Sequence, residues 1–150
     1  MKGCRPAYFI TALIVGALAA PAYADLTAAR AEPNLEKRSD LALKNANETL
    51  KSARKAYDQG NLDGVKTSLQ EIRDSVDLSL ASLKATGKNP RNSSKYFKRA
   101  EIGTRNLIRD LENFQRSMNY FDRSIMDGLK EHIQRIHDDL LLGLMEGKKP

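Results

Sequence analysis

Leu62, Val65, Leu69, Ile72, Val76, Leu80 and Leu83 recur at steps of three and four residues. That spacing matches the helical turn and excludes a strand, whose faces alternate every second residue. A helix so long and so one-sided buries its stripe against other helices. The same rhythm returns three times. Leu43, Ala46, Leu50, Ala53 and Tyr57 carry it before this segment, with a weaker early part at Leu35, Leu41 and Ala42. Phe97, Ala100, Thr104, Leu107, Leu111, Phe114, Met118 and Phe121 carry it after, and Ile125, Leu129, Ile133, Ile136, Leu140 and Leu144 close the chain. No segment alternates like a strand.

Punctuation residues divide these stripes into helices. Pro33 suits a first helical turn, and Gly60 suits a helix C-terminus. Asn61 reads as an N-cap, with Asp63 in the turn that follows. Gly87, Asn89-Pro90 and Asn92-Ser93-Ser94 form the strongest break, after which Asn92 or Ser93 can cap a third helix. Asn119 with Asp122 resembles a capping box and favours a further break, giving a fourth helix over about Tyr120–Met145; the alternative is one rod through that region. Four helices of about 24 to 27 residues follow, each on the order of 37 Å long. Equal lengths and short connections predict an all-α, up-down-up-down four-helix bundle over residues 34–146, made of two antiparallel hairpins. Gly103, beside the third stripe, permits a close helix approach. Residues 25–33 read as a short flexible leader, and 147–150 as a frayed tail.

The junction around Gly60 resembles the turn of a tetratricopeptide repeat, through Ala53, Gly60, Leu62, Val65, Leu69 and Ile72. The likeness covers about twenty residues and departs from the motif in three ways. The helices are nearly twice too long, Thr49 stands where a large residue is usual, and no repeat of roughly 34 residues follows. It implies hairpin chemistry and carries no function.

Residues 1–24 have the pattern of a secretory signal peptide. Lys2 and Arg5 precede an apolar run from Ala7 to Ala20, Pro21 breaks it, and Ala22-Tyr23-Ala24 supplies small residues before Asp25. Cleavage is expected between Ala24 and Asp25. The run falls short of the roughly 18 residues that would span a bilayer. Cys4, the one cysteine, lies within this segment, so the mature chain is expected to hold no disulfide and no thiolate metal site. The expected destination is the periplasm or the exterior.

Export changes the charge balance. The chain has 25 basic and 19 acidic residues; without Lys2 and Arg5 the count is 23 against 19. The connector 84–99 alone holds six cations, Lys84, Lys88, Arg91, Lys95, Lys98 and Arg99, and no acid. The remainder is therefore slightly acidic, which argues against a nucleic-acid binder with a basic surface throughout. Lys84 and Lys88 suit the negative end of the preceding helix. Lys95, Lys98 and Arg99 crowd the first turns of the next one, where acids are preferred and each cation costs about 0.3–1 kcal/mol. A local rule broken in this way marks a site. Arg91, Lys95, Lys98 and Arg99 are thus the candidate residues for an anion or an acidic partner, with Tyr96 beside them.

Other chemistry finds little support. His132 and His137, five apart, lie about 140° apart around a helix and cannot share a metal from one face. The first two helices contain no His or Met for haem ligation, and Glu-x-x-His motifs for a di-iron centre do not occur. No phosphate loop or nucleophile–base spacing is present. Asn47-Glu-Thr49 and Asn92-Ser-Ser94 match the glycosylation pattern and are read as inert. No cofactor, metal or catalytic residue is expected. The sequence favours a non-enzymatic interaction module of the cell envelope, binding an acidic protein, lipid headgroup or envelope polymer through the connector. The alternative is a structural, stress-type or chaperone-like protein acting through apolar surface or self-association.

Overall fold

In a computed structural model, residues 26–146 are described. The expected signal peptide, its Ala24–Asp25 cleavage point and the tail 147–150 lie outside them. Five α-helices and one 3-10 segment account for the fold, with no strand among the described residues: α1 (Leu26–Ala31), α2 (Leu35–Asp58), α3 (Leu62–Ala85), α4 (Ser94–Ser117), the 3-10 segment Tyr120–Met126, and α5 (Asp127–Glu146). Helices α2 to α5 form the four-helix bundle that the stripes predict.

Helix ends follow the sequence closely. Pro33 lies before α2 rather than in its first turn; Asn34 caps the helix, its side chain accepting from the Lys37 N–H at 2.9 Å. Asn61 caps α3 by accepting from the Gly64 N–H at 2.8 Å. Gly60 and Gly87 adopt φ of 72° and 65° after α2 and α3, the left-handed conformation in which a side chain is strained.

Helices α2 and α3 run antiparallel and pack closely because small residues line their seam. Ala42, Ala46 and Ala53 face Val65, Ile72, Ser75 and Ser79, all buried. The seam is also hydrogen-bonded. Ser39 Oγ meets Ser79 Oγ at 2.7 Å, and Asn45 Nδ2 donates to Ser75 Oγ at 2.9 Å and Glu71 Oε1 at 3.0 Å. Buried polar groups need such partners to offset lost hydration. Helices α4 and α5 form the second antiparallel hairpin.

The hairpins stack with like helices side by side. Gly103 of α4 lies against Leu43 of α2, so tightly that an added Cβ would come within 3.1 Å of Leu43 Cδ1. Arg54 donates to the Asp110 carbonyl at 2.6 Å, which adds a hydrogen bond between α2 and α4. On the other edge Arg73 reaches the Gly128 carbonyl at 2.9 Å, and Asp77 accepts from His132 Nε2 at 2.6 Å, joining α3 to α5. In each cross-hairpin pair the helices therefore run parallel, while partners within a hairpin run antiparallel.

Four expectations need correction. The segment 25–33 is not simply a flexible leader: Leu26–Ala31 forms α1 and buries Ala29. Glu32 secures the α1–α2 joint. Its carboxylate takes Lys37 Nζ at 2.9 Å and the Asn34 N–H at 3.1 Å, and its carbonyl accepts from Arg38 Nε at 2.8 Å.

The fourth helix does not begin as an α-helix at Tyr120. Met118 is extended at the end of α4, and seven residues of tighter 3-10 winding precede α5. Asp122 does not complete a capping box either. It accepts from the Tyr57 hydroxyl at 3.0 Å, and that hydroxyl accepts from the Asn119 N–H at 2.7 Å. The same change of winding turns Phe121 out of the core. Although it continues the α4 stripe in sequence, it is 84 % exposed, and Tyr120 beside it is 77 % exposed.

The Glu32 contacts carry an acid-side prediction. The hydrogen bond from Lys37, then that from the Asn34 backbone, holds the Glu32 carboxyl below its ordinary value of 4.5. A carboxylate depressed in the folded state adds stability above its unfolded pKa and loses it as pH falls through the folded one. The α1–α2 joint should loosen below pH 4.5, across the interval down to that lower value. A carboxyl NMR titration showing ordinary Glu32 behaviour would refute this.

Candidate functional site

The connector links the end of α3 to the start of α4 across one end of the bundle. Its backbone is organised by Asn89, whose side chain accepts from the Arg91 N–H at 2.9 Å and whose carbonyl accepts from the Ser93 N–H at 2.9 Å. Pro90 seats the loop against Gly143 of α5. Beneath it lies a small cavity of about 200 Å³, lined by Leu80, Pro90, Phe97, Leu140 and Gly143 with Lys84 and Asp139. Ser93 occupies the N-cap position of α4 without a side-chain capping bond, and no acid stands in the first turn of that helix.

The six connector cations separate into two groups. Lys84 lies 3.9 Å from Asp139 of α5, Lys88 lies 2.7 Å from Glu36 of α2, and Arg99 is paired with Asp40 of α2. These three bind the connector end to its own bundle, so Arg99 does not stand free for a ligand as its sequence position suggests. Exposed pairs of this kind contribute little stability each, yet they neutralise half of the local charge. Arg91, Lys95 and Lys98 are exposed and have no acidic partner among the described residues. Lys95 Nζ lies 5.5 Å from the Tyr96 ring centre, and the Arg99 guanidinium lies 5.4 Å from it. Both cations thus stand at cation–π distance from the one ring.

Glu101 does not screen this patch. It turns inward, nearly buried, and accepts from His137 Nε2 of α5 at 3.0 Å, with Arg105 Nε at 3.7 Å. His137 Nδ1 also approaches Asp138 at 3.3 Å. The carboxylate partners of the histidines are therefore Asp77, Glu101 and Asp138. Both histidines tie helices together. Asp138 also accepts from Gln134 Nε2 at 2.8 Å. Glu131, Gln134 and Arg135 lie with Ile108, Glu112, Asp127 and Lys130 along an open groove of about 500 Å³ between α4 and α5.

Sequence reasoning located the connector but missed its neighbour on α5. Leu142 is 53 % exposed and Met145 71 % exposed, with Leu141 and Ile102 of α4 also at the surface. The signal was present: Leu140-Leu-Leu142 is a continuous apolar run, of which one stripe can bury only part. No group of His, Cys or acidic residues that could hold a metal occurs among the described residues, and no helix there is long and apolar enough to cross a membrane. No family model, curated protein or solved structure matches the chain.

Proposed function

We propose that the protein is an exported, non-enzymatic interaction module of the cell envelope that takes an anionic partner at the connector end of its bundle. The observation that carries this reading is the exposure of Arg91, Lys95 and Lys98 without acidic partners among the described residues, beside three cations that the bundle has already neutralised. The amides at the start of α4 add partial positive charge to the same place. The engagement of both histidines by carboxylates on other helices supports a structural role for the polar groups inside the bundle. Export rests on the sequence of residues 1–24.

The reading predicts salt-sensitive binding to a soluble polyanion such as dextran sulfate. Substituting Arg91, Lys95 and Lys98 together by glutamine should weaken it roughly tenfold or more at low salt, because three exposed charges act together within a Debye length of about 10 Å. Arg99→Gln, which removes a paired cation, should matter less. Fluorescence anisotropy measures both. Equal affinity of the triple variant and the unaltered protein would end the proposal.

A second reading has its own observation. Tyr120 and Phe121 stack edge to face, ring centres 5.7 Å apart, on the opposite end of the bundle and largely in solvent. An exposed aromatic pair suits self-association or capture of apolar segments, the structural or chaperone-like alternative. A mass that rises with concentration, abolished by Tyr120→Ser with Phe121→Ser, would favour it.

A further inference from the structure

Resting on the reading of the connector as an anion-binding end, we infer that the partner there is the surface of an anionic phospholipid bilayer. Cations and exposed apolar side chains occupy one continuous face, formed by α4 and α5 together. The Glu101–His137 hydrogen bond sets the register between these antiparallel helices. One turn towards the connector from that bond stand Lys98 on α4 and Leu141 on α5; one turn further stand Lys95 and Met145. Residues three and four apart share a helix face. Lys95, Lys98 and Ile102 therefore follow one another along α4, and Leu141 and Met145 along α5, with Leu142 beside them.

The chemistry of this face distinguishes a bilayer from a soluble polyanion. A polyanion needs cations alone, and exposed Leu142 and Met145 would add nothing to its capture. An anionic bilayer takes both: phosphates meet Lys95, Lys98 and Arg91, while apolar side chains enter the boundary between headgroups and acyl chains. Lysine also suits the depth difference, since its long stem lets the ammonium stay at phosphate level while neighbouring side chains go deeper. The acids nearest the cations are engaged, Glu36, Asp40 and Asp139 by Lys88, Arg99 and Lys84, and Glu101 by His137. Asp138 and Glu146 are exposed on the same stretch of α5 and oppose the contact, so the cations of α4 and the connector must outweigh them. The occupant is a bilayer surface, not a membrane span: the face lies across two helix ends and leaves the core of the bundle intact.

The test is sedimentation with vesicles of phosphatidylcholine alone and of phosphatidylcholine mixed with phosphatidylglycerol. It uses the chain from Asp25 onward, so that the apolar run of residues 7–20 does not itself bind lipid; circular dichroism against the full chain checks that the helices are kept. The protein should sediment with the mixed vesicles and not with the neutral ones. Glutamine at Arg91, Lys95 and Lys98 should lower the partition coefficient by roughly a hundredfold, from the attraction of each cation to an anionic leaflet. Serine at Leu141, Leu142 and Met145 should lower it by about tenfold or more while leaving dextran sulfate binding unchanged. Binding to dextran sulfate without binding to mixed vesicles would overturn the bilayer inference and leave the anion reading standing. Binding to neither would overturn both. Vesicle binding unaffected by the serine variant would also overturn it, since the contact would then be purely electrostatic. So would a dimer seen by light scattering that the serine variant abolishes.

Discussion

Replacing Phe114 with alanine should lower the unfolding free energy by about 3–5 kcal/mol, the usual cost of removing a large buried aromatic. Phe114 is fully enclosed near the end of α4. Tyr57 of α2 meets its ring edge to face at 5.8 Å, and the Arg54 guanidinium sits 5.1 Å from the ring centre. Both contacts come from the neighbouring hairpin, so the cavity would open where the two hairpins join. The loss would extend beyond transfer energy. Tyr57 also ties the turn after α4 through Asn119 and Asp122, and without the ring it packs against, that hydroxyl would lose its fixed position. Urea unfolding should show a lower midpoint at similar slope. Phe114→Leu, which keeps most of the volume, should cost clearly less. A loss below about 1 kcal/mol for the alanine variant would show that the joint does not depend on this ring.

The second large effect is expected at Glu101. Glu101→Ala should cost about 1–3 kcal/mol, because it strips the nearly buried His137 of an acceptor in a place water reaches poorly. Glu101 and His137 side chains are only 12 % and 13 % exposed. Alanine favours the helix slightly, which offsets a few tenths of that cost. A double-mutant cycle with His137→Ala isolates the coupling. If the two losses simply add, the bond contributes no coupling and the register of α4 on α5 is set by apolar packing alone. A measurable coupling would support the register on which the α4–α5 face was built.

The bundle could be read from the sequence because its rules are local. Each stripe names its buried face, and Asn61, Gly60 and Gly87 carry their positions in their own conformational chemistry. Phe121 misled because periodicity continues through a change of winding that it cannot sense. The extended Met118 and the tighter turns after it rest on the Tyr57 hydroxyl, more than sixty residues away in the chain. The candidate site was half legible for the same reason. A cluster of cations is visible in the sequence, but Asp40, Glu36 and Asp139, which neutralise Arg99, Lys88 and Lys84, arrive from other helices. Gly103 is the instructive exception: a small residue beside a stripe implied a close approach, and Leu43 makes it.

The parallel stacking of like helices has a consequence for the order in which the chain folds. Within a hairpin, contacts near the turn join residues close in sequence, so each hairpin can zip outward from its turn. Between hairpins, parallel alignment keeps the separation nearly constant: 59 residues for Asp40–Arg99, 56 for Arg54–Asp110, and 55 for both Arg73–Gly128 and Asp77–His132. These bonds all close long loops; the few contacts of α3 with α4 across the connector are the shorter-range exception. Hairpin formation ahead of docking is therefore the expected order. Substitutions at the joint, Phe114 among them, should register chiefly in that docking event rather than in the speed of hairpin closure.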